Sequence, residues 1–445
     1  MNIVQLTPGA GGMFCGGCLR DNALVAALRQ TGHHALMVPL YLPLTLDEPD
    51  QSTGTPVFYS GINVFLEQKS SLFRKLPAWM LKPFASRLAL RWASGRAATT
   101  RASEAGELTL SMLRGEAGHQ ARELDALIAW LKTQPKPDVI CLSNALLAGM
   151  ARQLKSELKA PVTCLLTGED TFLDALPEGL RNEAWRTLSE RCRDVDLFLP
   201  PSRYFGDLMQ RRLALRSEQV RVVPSGIPLA GFEVRKNPPQ PPVLGYFARM
   251  CREKGLDTLV EAYLLLKRRD SARELRLHVG GGCGPSDEPF VAALKQKLAE
   301  AGVLEHARFF PNVDKAGKLE FFKSLTVFSA PGLYGEAFGL YLLEAWAAGV
   351  PVVQPRHAAF PELLEATGGG VLCEPGDPKS LADAIERLLQ DPLHTRFLGQ
   401  RGRAAVEQQF SIEQMASHLV AAWKSVRHEQ EAASEGAAAA LRVER

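Results

Sequence analysis

Two carboxylates eight positions apart, Glu336 and Glu344, bracket the run Gly335-Glu336-Ala337-Phe338-Gly339-Leu340-Tyr341-Leu342-Leu343-Glu344-Ala345. An apolar strand ends near Ala330, a Pro-Gly loop follows, and the helix formers from Leu340 to Ala348 predict a helix whose first N–H groups face that loop. Such a helix start offers unsatisfied amides and the positive end of the dipole to an anion such as phosphate. Eight positions are a little over two turns, so the two acids lie on roughly the same side and flank one anion site at different depths. A carboxylate accepts two hydroxyls at once, which suits a sugar at one end of a ligand and a ribose at the other. A second cluster, Arg249-Met250-Cys251-Arg252-Glu253-Lys254-Gly255, directly follows a strand. Cations there would line the crevice where α/β proteins bind ligands. Arg249 would clamp a diphosphate as a fork and Lys254 as a point charge.

Other chemistry-bearing residues lead less far. The run Gly280 to Gly284 reads as a flexible strand-to-helix connection, glycine supplying positive φ without implying a ligand. His278, inside an apolar strand, reads as a core histidine, and no local nucleophile elbow suggests a Ser-His-Asp set. Of eight cysteines only Cys15 and Cys18 form a C-x-x-C pair; there is no second pair, and the adjacent His33 and His34 lack zinc-ligand spacing. No metal site is expected. The thiols read as reduced and structural, with Cys15 and Cys18 as a redox-sensitive alternative because a thiol near a helix N-terminus is acidified.

These residues must be carried by a repeating framework. The opening is a buried strand, Ile3 to Leu6, a glycine-rich turn through Gly9, Gly11, Gly12, Gly16 and Gly17, a helix from about Asp21 to Gln30, then a second apolar run, Ala35 to Leu40. This is a βαβ unit, and its repetition at 137–142, 161–166 and 196–200 implies a parallel sheet with helices on both faces. The pattern restarts at Val243 and recurs at 275–279, 307–310, 325–330 and 350–353. Between the halves, Phe232 to Pro242 holds four prolines in eleven positions and reads as a stiff linker. The expected organisation is therefore an N-terminal Rossmann-like domain over 1–231, a linker over 232–242 and a second Rossmann-like domain over 243–410. A helix over 411–430 and a flexible tail over 431–445 follow.

The N-terminal half carries an insertion over about 45–118, whose segment Lys69 to Arg101 has eight Lys or Arg and no acid among Phe73, Trp79, Phe84 and Trp92. It reads as a helical lid or as a surface for anionic lipid or an acidic acceptor. The chain as a whole is nearly balanced, with 52 Lys+Arg against 49 Asp+Glu, which excludes nucleic acid as a default partner. At 445 residues, 46% hydrophobic and 23% charged, it reads as a folded protein of two large domains. With no cationic leader and no run near the roughly 18 apolar residues of a membrane span, the expected location is cytoplasmic, with peripheral contact at the inner membrane face through 69–101.

Six blocks in order resemble the retaining glycosyltransferases of the GT-B fold, family 4, with the glycogen and starch synthases as relatives. They are the Gly-rich first turn, Gly32-His33, Pro201-Ser202-Arg203, Val222 to Ile227, Arg249 with Lys254-Gly255, and Glu336 with Glu344. The resemblance implies two Rossmann-like domains facing across a cleft, the first presenting the acceptor and the second gripping a nucleotide diphosphate sugar. The last helix would cross back to the first domain. It implies that Arg249 and Lys254 neutralise the diphosphate and that Glu344 holds the ribose. Glu336, with the amides of Ala337, Phe338, Gly339 and Leu340, would hold the donor sugar and phosphate. Gly16 and Gly17, with Gly11 and Gly12 as the alternative, would let backbone approach the diphosphate.

The resemblance further implies transfer with retention to a hydroxyl of a glycan or lipid-linked acceptor, with a UDP-type donor leading, no cofactor and no metal. Where family members carry His-Gly-x-Asp facing the sugar, this chain has Thr167-Gly168-Glu169-Asp170. Thr167 cannot act as an acid or base near neutral pH, so either that function is dispensable, or Glu169 or Asp170 supplies it, or the protein is an impaired nucleotide-sugar-binding scaffold of the same fold. The Lys that precedes the double glycine in glycogen synthases is also replaced, by Met13-Phe14-Cys15.

Overall fold

The computed structural model describes residues 1–9, 16–46, 48–60, 64, 68 and 102–443, with 102–105 and 430–443 described at the backbone alone. The basic stretch 69–101, Gly11, Gly12 and Cys15 lie outside the described residues. The chain forms two units, Met1–Pro224 with Met415–Arg445, and Ser225–Gln414.

The first unit is built on a five-stranded parallel sheet in the order β2-β1-β3-β4-β5. Its strands are β1 (Asn2–Pro8), β2 (His34–Leu40), β3 (Val139–Leu142), β4 (Val162–Leu165) and β5 (Leu197–Leu199). The short apolar runs are buried on both faces, as central parallel strands require: Leu6, Val38, Ile140, Leu142, Val162 and Phe198 are fully buried. The order reverses between β1 and β3, so the segment leaving β1 opens at the sheet's switch point. The helix after it runs Gly16–Gln30, five residues earlier than the start read at Asp21, so Gly16 and Gly17 form its first turn.

A buried staple fixes this corner. The Arg20 guanidinium pairs with Asp21 at 2.6 Å and also donates to the Ser143 carbonyl beyond β3, while Asp21 accepts from Thr7 and Gln5 of β1. Helix Ile412–Val443 completes the unit from Met415 onward. Its Trp423 is fully buried and donates its ring N–H to Thr163 Oγ1 of β4 at 3.0 Å. The helix continues past residue 430, through most of the 431–445 expected as a flexible tail, because that Ala- and Glu-rich segment has high helix propensity.

The second unit carries a six-stranded parallel sheet in the order β11-β10-β9-β6-β7-β8. Its strands are β6 (Val243–Phe247), β7 (Arg276–Gly281), β8 (Ala307–Pro311), β9 (Val327–Phe328), β10 (Val352–Pro355) and β11 (Gly370–Cys373). This unit begins at Ser225, ahead of the proline-rich stretch. The reason is local: Ile227 donates to the Phe410 carbonyl and accepts from the Ile412 amide, and its side chain joins the second core. That core is dense with Trp346, Tyr246, Tyr263, Phe322, Phe328 and Phe360, all fully buried. His278 is a core histidine, as read: it faces Ser324 Oγ at 3.1 Å between Phe310 and Phe321, and burial pushes its pKa down to about 4.

Candidate functional site

In the second sheet the strand order reverses between β6 and β9, which pair directly. The loop after β6 carries Arg249 and Lys254, and the loop after β9 carries Glu336 and leads into the helix Leu340–Ala347. Topology therefore delivers both clusters to the crevice outside the carboxyl ends of adjacent strands, where open α/β sheets hold ligands. The two loops touch. Gly255 has φ +74°, and a Cβ there would lie 1.9 Å from the Pro331 carbonyl oxygen, so glycine is what lets the turn at Lys254 lie on the loop after β9. The Leu333 amide donates to the Glu253 carbonyl across the same seam. Gly339, with φ +91°, turns the chain into the helix.

At this seam Lys254 Nζ lies 2.6 Å from Glu336 Oε2, and the Tyr341 hydroxyl donates to the same oxygen at 2.9 Å. The Glu336 side chain is 15% exposed. Burial works against its charge, but the Lys254 ammonium, the Tyr341 hydroxyl and the Phe338 amide outweigh it and hold the carboxyl below its usual range. Lys254 shifts the other way: burial disfavours its charge, and the attraction of Glu336 more than offsets that and raises it. Below them Tyr246 is fully buried and donates to the Arg249 carbonyl at 2.7 Å. Burial raises its phenol well above the ordinary value, reinforced by Cys251, Asp257, Glu336 and Asp287.

Arg249 is not directed at Lys254 or Glu336. Its Nε and Nη2 form a fork on Asp287, at 3.0 and 2.9 Å, and Asp287 also accepts the Gly284 amide. The glycine run Gly280 to Gly284 thus leads to the acid that holds this arginine. Glu344, three residues after Tyr341 on one helix face, pairs through Oε1 with Lys318 Nζ at 2.8 Å. Lys318 comes from the helix Lys315–Lys323, whose first turn is capped by Asp314 accepting the Gly317 amide. Three cations and three acids are therefore matched in pairs around the switch point. The sequence reading found four of the six. Asp287 and Lys318 were missed, and so was Tyr341, although it stands inside the quoted motif.

In the first unit the loop after β4 behaves differently. Glu169 is buried, and its carboxylate accepts the Ala145, Thr167 and Gly168 amides at 2.8, 2.9 and 3.0 Å. It braces the backbone, and burial raises its pKa against these hydrogen bonds. Asp170 differs, because its buried Oδ1 accepts no hydrogen bond among the described residues, and burial raises its pKa as well. Cys18 is buried and directs its thiol at the Pro8 carbonyl. Among the described residues no group of three or more His, Cys, Asp or Glu could hold a metal, and no helix is long and apolar enough to cross a membrane.

This architecture is the GT-B fold. The chain superposes on sucrose-phosphate synthase from Thermosynechococcus elongatus with a TM-score of 0.70 at 20% identity, covering 96% of this chain and 99% of that one. It superposes on Anabaena HepE, solved in complex with UDP and glucose, with a TM-score of 0.69 at 16% identity, covering 96% and 100%.

Residues 231–405 match the family described as glycosyl transferases group 1, a match that lies within the second unit. A stretch of 126 residues, 28% of the chain, is 38% identical to the phosphatidyl-myo-inositol mannosyltransferase of Mycobacterium leprae and spans 33% of that protein. The chain covers about half the length of other curated relatives it matches.

Proposed function

We propose that the chain transfers a sugar from a nucleotide diphosphate sugar to a hydroxyl acceptor with retention and without a metal. The observation that carries this reading is the joined pair Lys254–Glu336 at the β6/β9 switch point, set at the start of the Leu340 helix. Lys254 and Arg249 take the diphosphate, with the first amides of the helix adding donors that no intrahelical carbonyl uses. Glu336 holds the donor sugar, and Glu344 holds the ribose. The bond from the anomeric carbon to the phosphate oxygen breaks as the bond to the acceptor oxygen forms on the same face. The acceptor's proton passes to the departing phosphate oxygen, and Arg249 and Lys254 balance the charge left there.

A UDP-type donor is favoured by the fold shared with HepE, which was solved with UDP and glucose. A lipid-linked acceptor is favoured by the relative named for phosphatidyl-myo-inositol and by the eight cations without an acid in 69–101, a composition suited to anionic membranes. Incubation with UDP-, GDP- and ADP-sugars, with and without acceptors, tests the reading through nucleoside diphosphate release. Turnover that is lost in Lys254→Met supports it. Tight donor binding with no cleavage of any donor supports the impaired scaffold, which the replacement of histidine by Thr167 motivates.

A further inference from the structure

We infer that Tyr341 is a positioning residue of the donor site: its hydroxyl keeps Glu336 in place while Lys254 turns from that carboxylate to the incoming diphosphate. The inference rests on the reading of Lys254 as a diphosphate ligand. In the structure both Lys254 and Tyr341 sit on the same oxygen, Glu336 Oε2, at 2.6 and 2.9 Å. An ammonium held at 2.6 Å on a carboxylate gives up part of that contact as it shifts toward a diphosphate, and a carboxylate that is 15% exposed is expensive to leave under-partnered. With only Lys254 to hold it, Glu336 would resist the ligand, because each step of Lys254 toward phosphate would strand a buried charge. The Tyr341 hydroxyl removes that obstacle. It arrives from the second residue of the helix and stays on Oε2 whichever way the ammonium points, while the Phe338 amide supports the same carboxylate.

The ring is fixed independently of the hydroxyl. Tyr341 lies 6.0 Å from the Phe328 ring of β9, a contact that phenylalanine would keep. Tyr341→Phe therefore deletes one donor and leaves the packing. The ionisable groups facing Glu336 are Lys254 from the turn after β6, Tyr341 from the helix and, charge-coupled beneath them, Tyr246 from β6.

The test is calorimetric titration of the full chain with UDP and with GDP, for wild type, Tyr341→Phe, Lys254→Met and the double variant. Tyr341→Phe should weaken whichever diphosphate binds wild type by about tenfold, the scale of one hydrogen bond to a charged group. In the Lys254→Met background the same change should have no effect on affinity, because no ammonium needs releasing. If Lys254→Met binds too weakly to titrate, the pH profile decides. In Tyr341→Phe, where Lys254 and the Phe338 amide alone hold the carboxylate, lowering the pH should bring diphosphate affinity back toward the wild-type value, because a protonated Glu336 leaves no charge to strand. Unchanged affinity in Tyr341→Phe, equal weakening in both backgrounds, or a weakening that acid does not relieve overturns the inference. A wild type that binds neither UDP nor GDP overturns the donor-site reading beneath it.

Discussion

The two switch points use charge in opposite ways. In the first unit, Arg20 and Asp21 pair with each other within one helix and Glu169 accepts three backbone amides, all three side chains being buried. In the second unit, each pair joins side chains from different elements, and its cation keeps some exposure: 35% for Lys254, 61% for Arg249 and 19% for Lys318. A buried charge saturated with amides holds a corner of the fold. A half-exposed cation paired with an acid is held in place, yet remains able to exchange that acid for a stronger anion.

The comparison can be broken at its centre. Lys254→Met should lower kcat by about a hundredfold or more, the usual scale for removing one donor to developing charge. A mere stabilising pair would lower the unfolding midpoint and leave kcat in place. Glu169→Gln should destabilise the first unit by about 3 kcal/mol, since an amide nitrogen then faces backbone N–H groups in a buried site. Urea unfolding should show this in a first-unit transition, while diphosphate affinity stays at the wild-type value. Asp287→Asn loosens the fork on Arg249 and should raise the diphosphate Kd about tenfold. Lys318→Met frees Glu344 from its partner, and a rise of about threefold in donor KM with kcat preserved would mark it as a ribose-side effect.

The smallest effect is also the most discriminating, because the two units should answer acid with opposite signs. Glu336 is depressed in the folded state, so its contribution is present above the ordinary carboxylate pKa and is lost as pH falls through the depressed value. Glu169 and Asp170 are raised, so the folded state takes up their protons first. Their burial penalty is relieved as pH falls through the raised values, and stability declines as pH rises through them. Unfolding midpoints of wild type against Glu336→Gln and Asp170→Asn across mildly acidic pH should diverge in these opposite directions. A common sign in both differences would dissolve the distinction between the units.

Much of the framework was legible because each strand is a short apolar run between turn residues, a pattern that burial on both faces imposes. The exceptions have local causes. β11 was missed because Gly-Val-Leu-Cys follows two further glycines and is too short to show a period. The first helix was started late because Gly16 and Gly17 are poor helix formers held there by their neighbours. At the site, residue types revealed Arg249, Lys254, Glu336 and Glu344 but not their partners. Asp287 and Lys318 stand 38 and 26 residues from the side chains they hold. Partner choice follows from which strands and helices become neighbours, and no local pattern encodes that order. Glu169 stayed one of several open alternatives for a related reason: a carboxylate in a loop looks alike in sequence whether it faces a ligand or its own backbone.

Trp423 carries a consequence for biosynthesis. The indole packed at β4 stands 224 residues beyond Leu199, the end of the last strand of its sheet, and is translated after the whole second unit. A nascent chain halted at residue 224 would therefore show water an apolar hollow that only the final helix fills. The half made first is finished last, and until then it is the part of the molecule that a chaperone has most reason to shield.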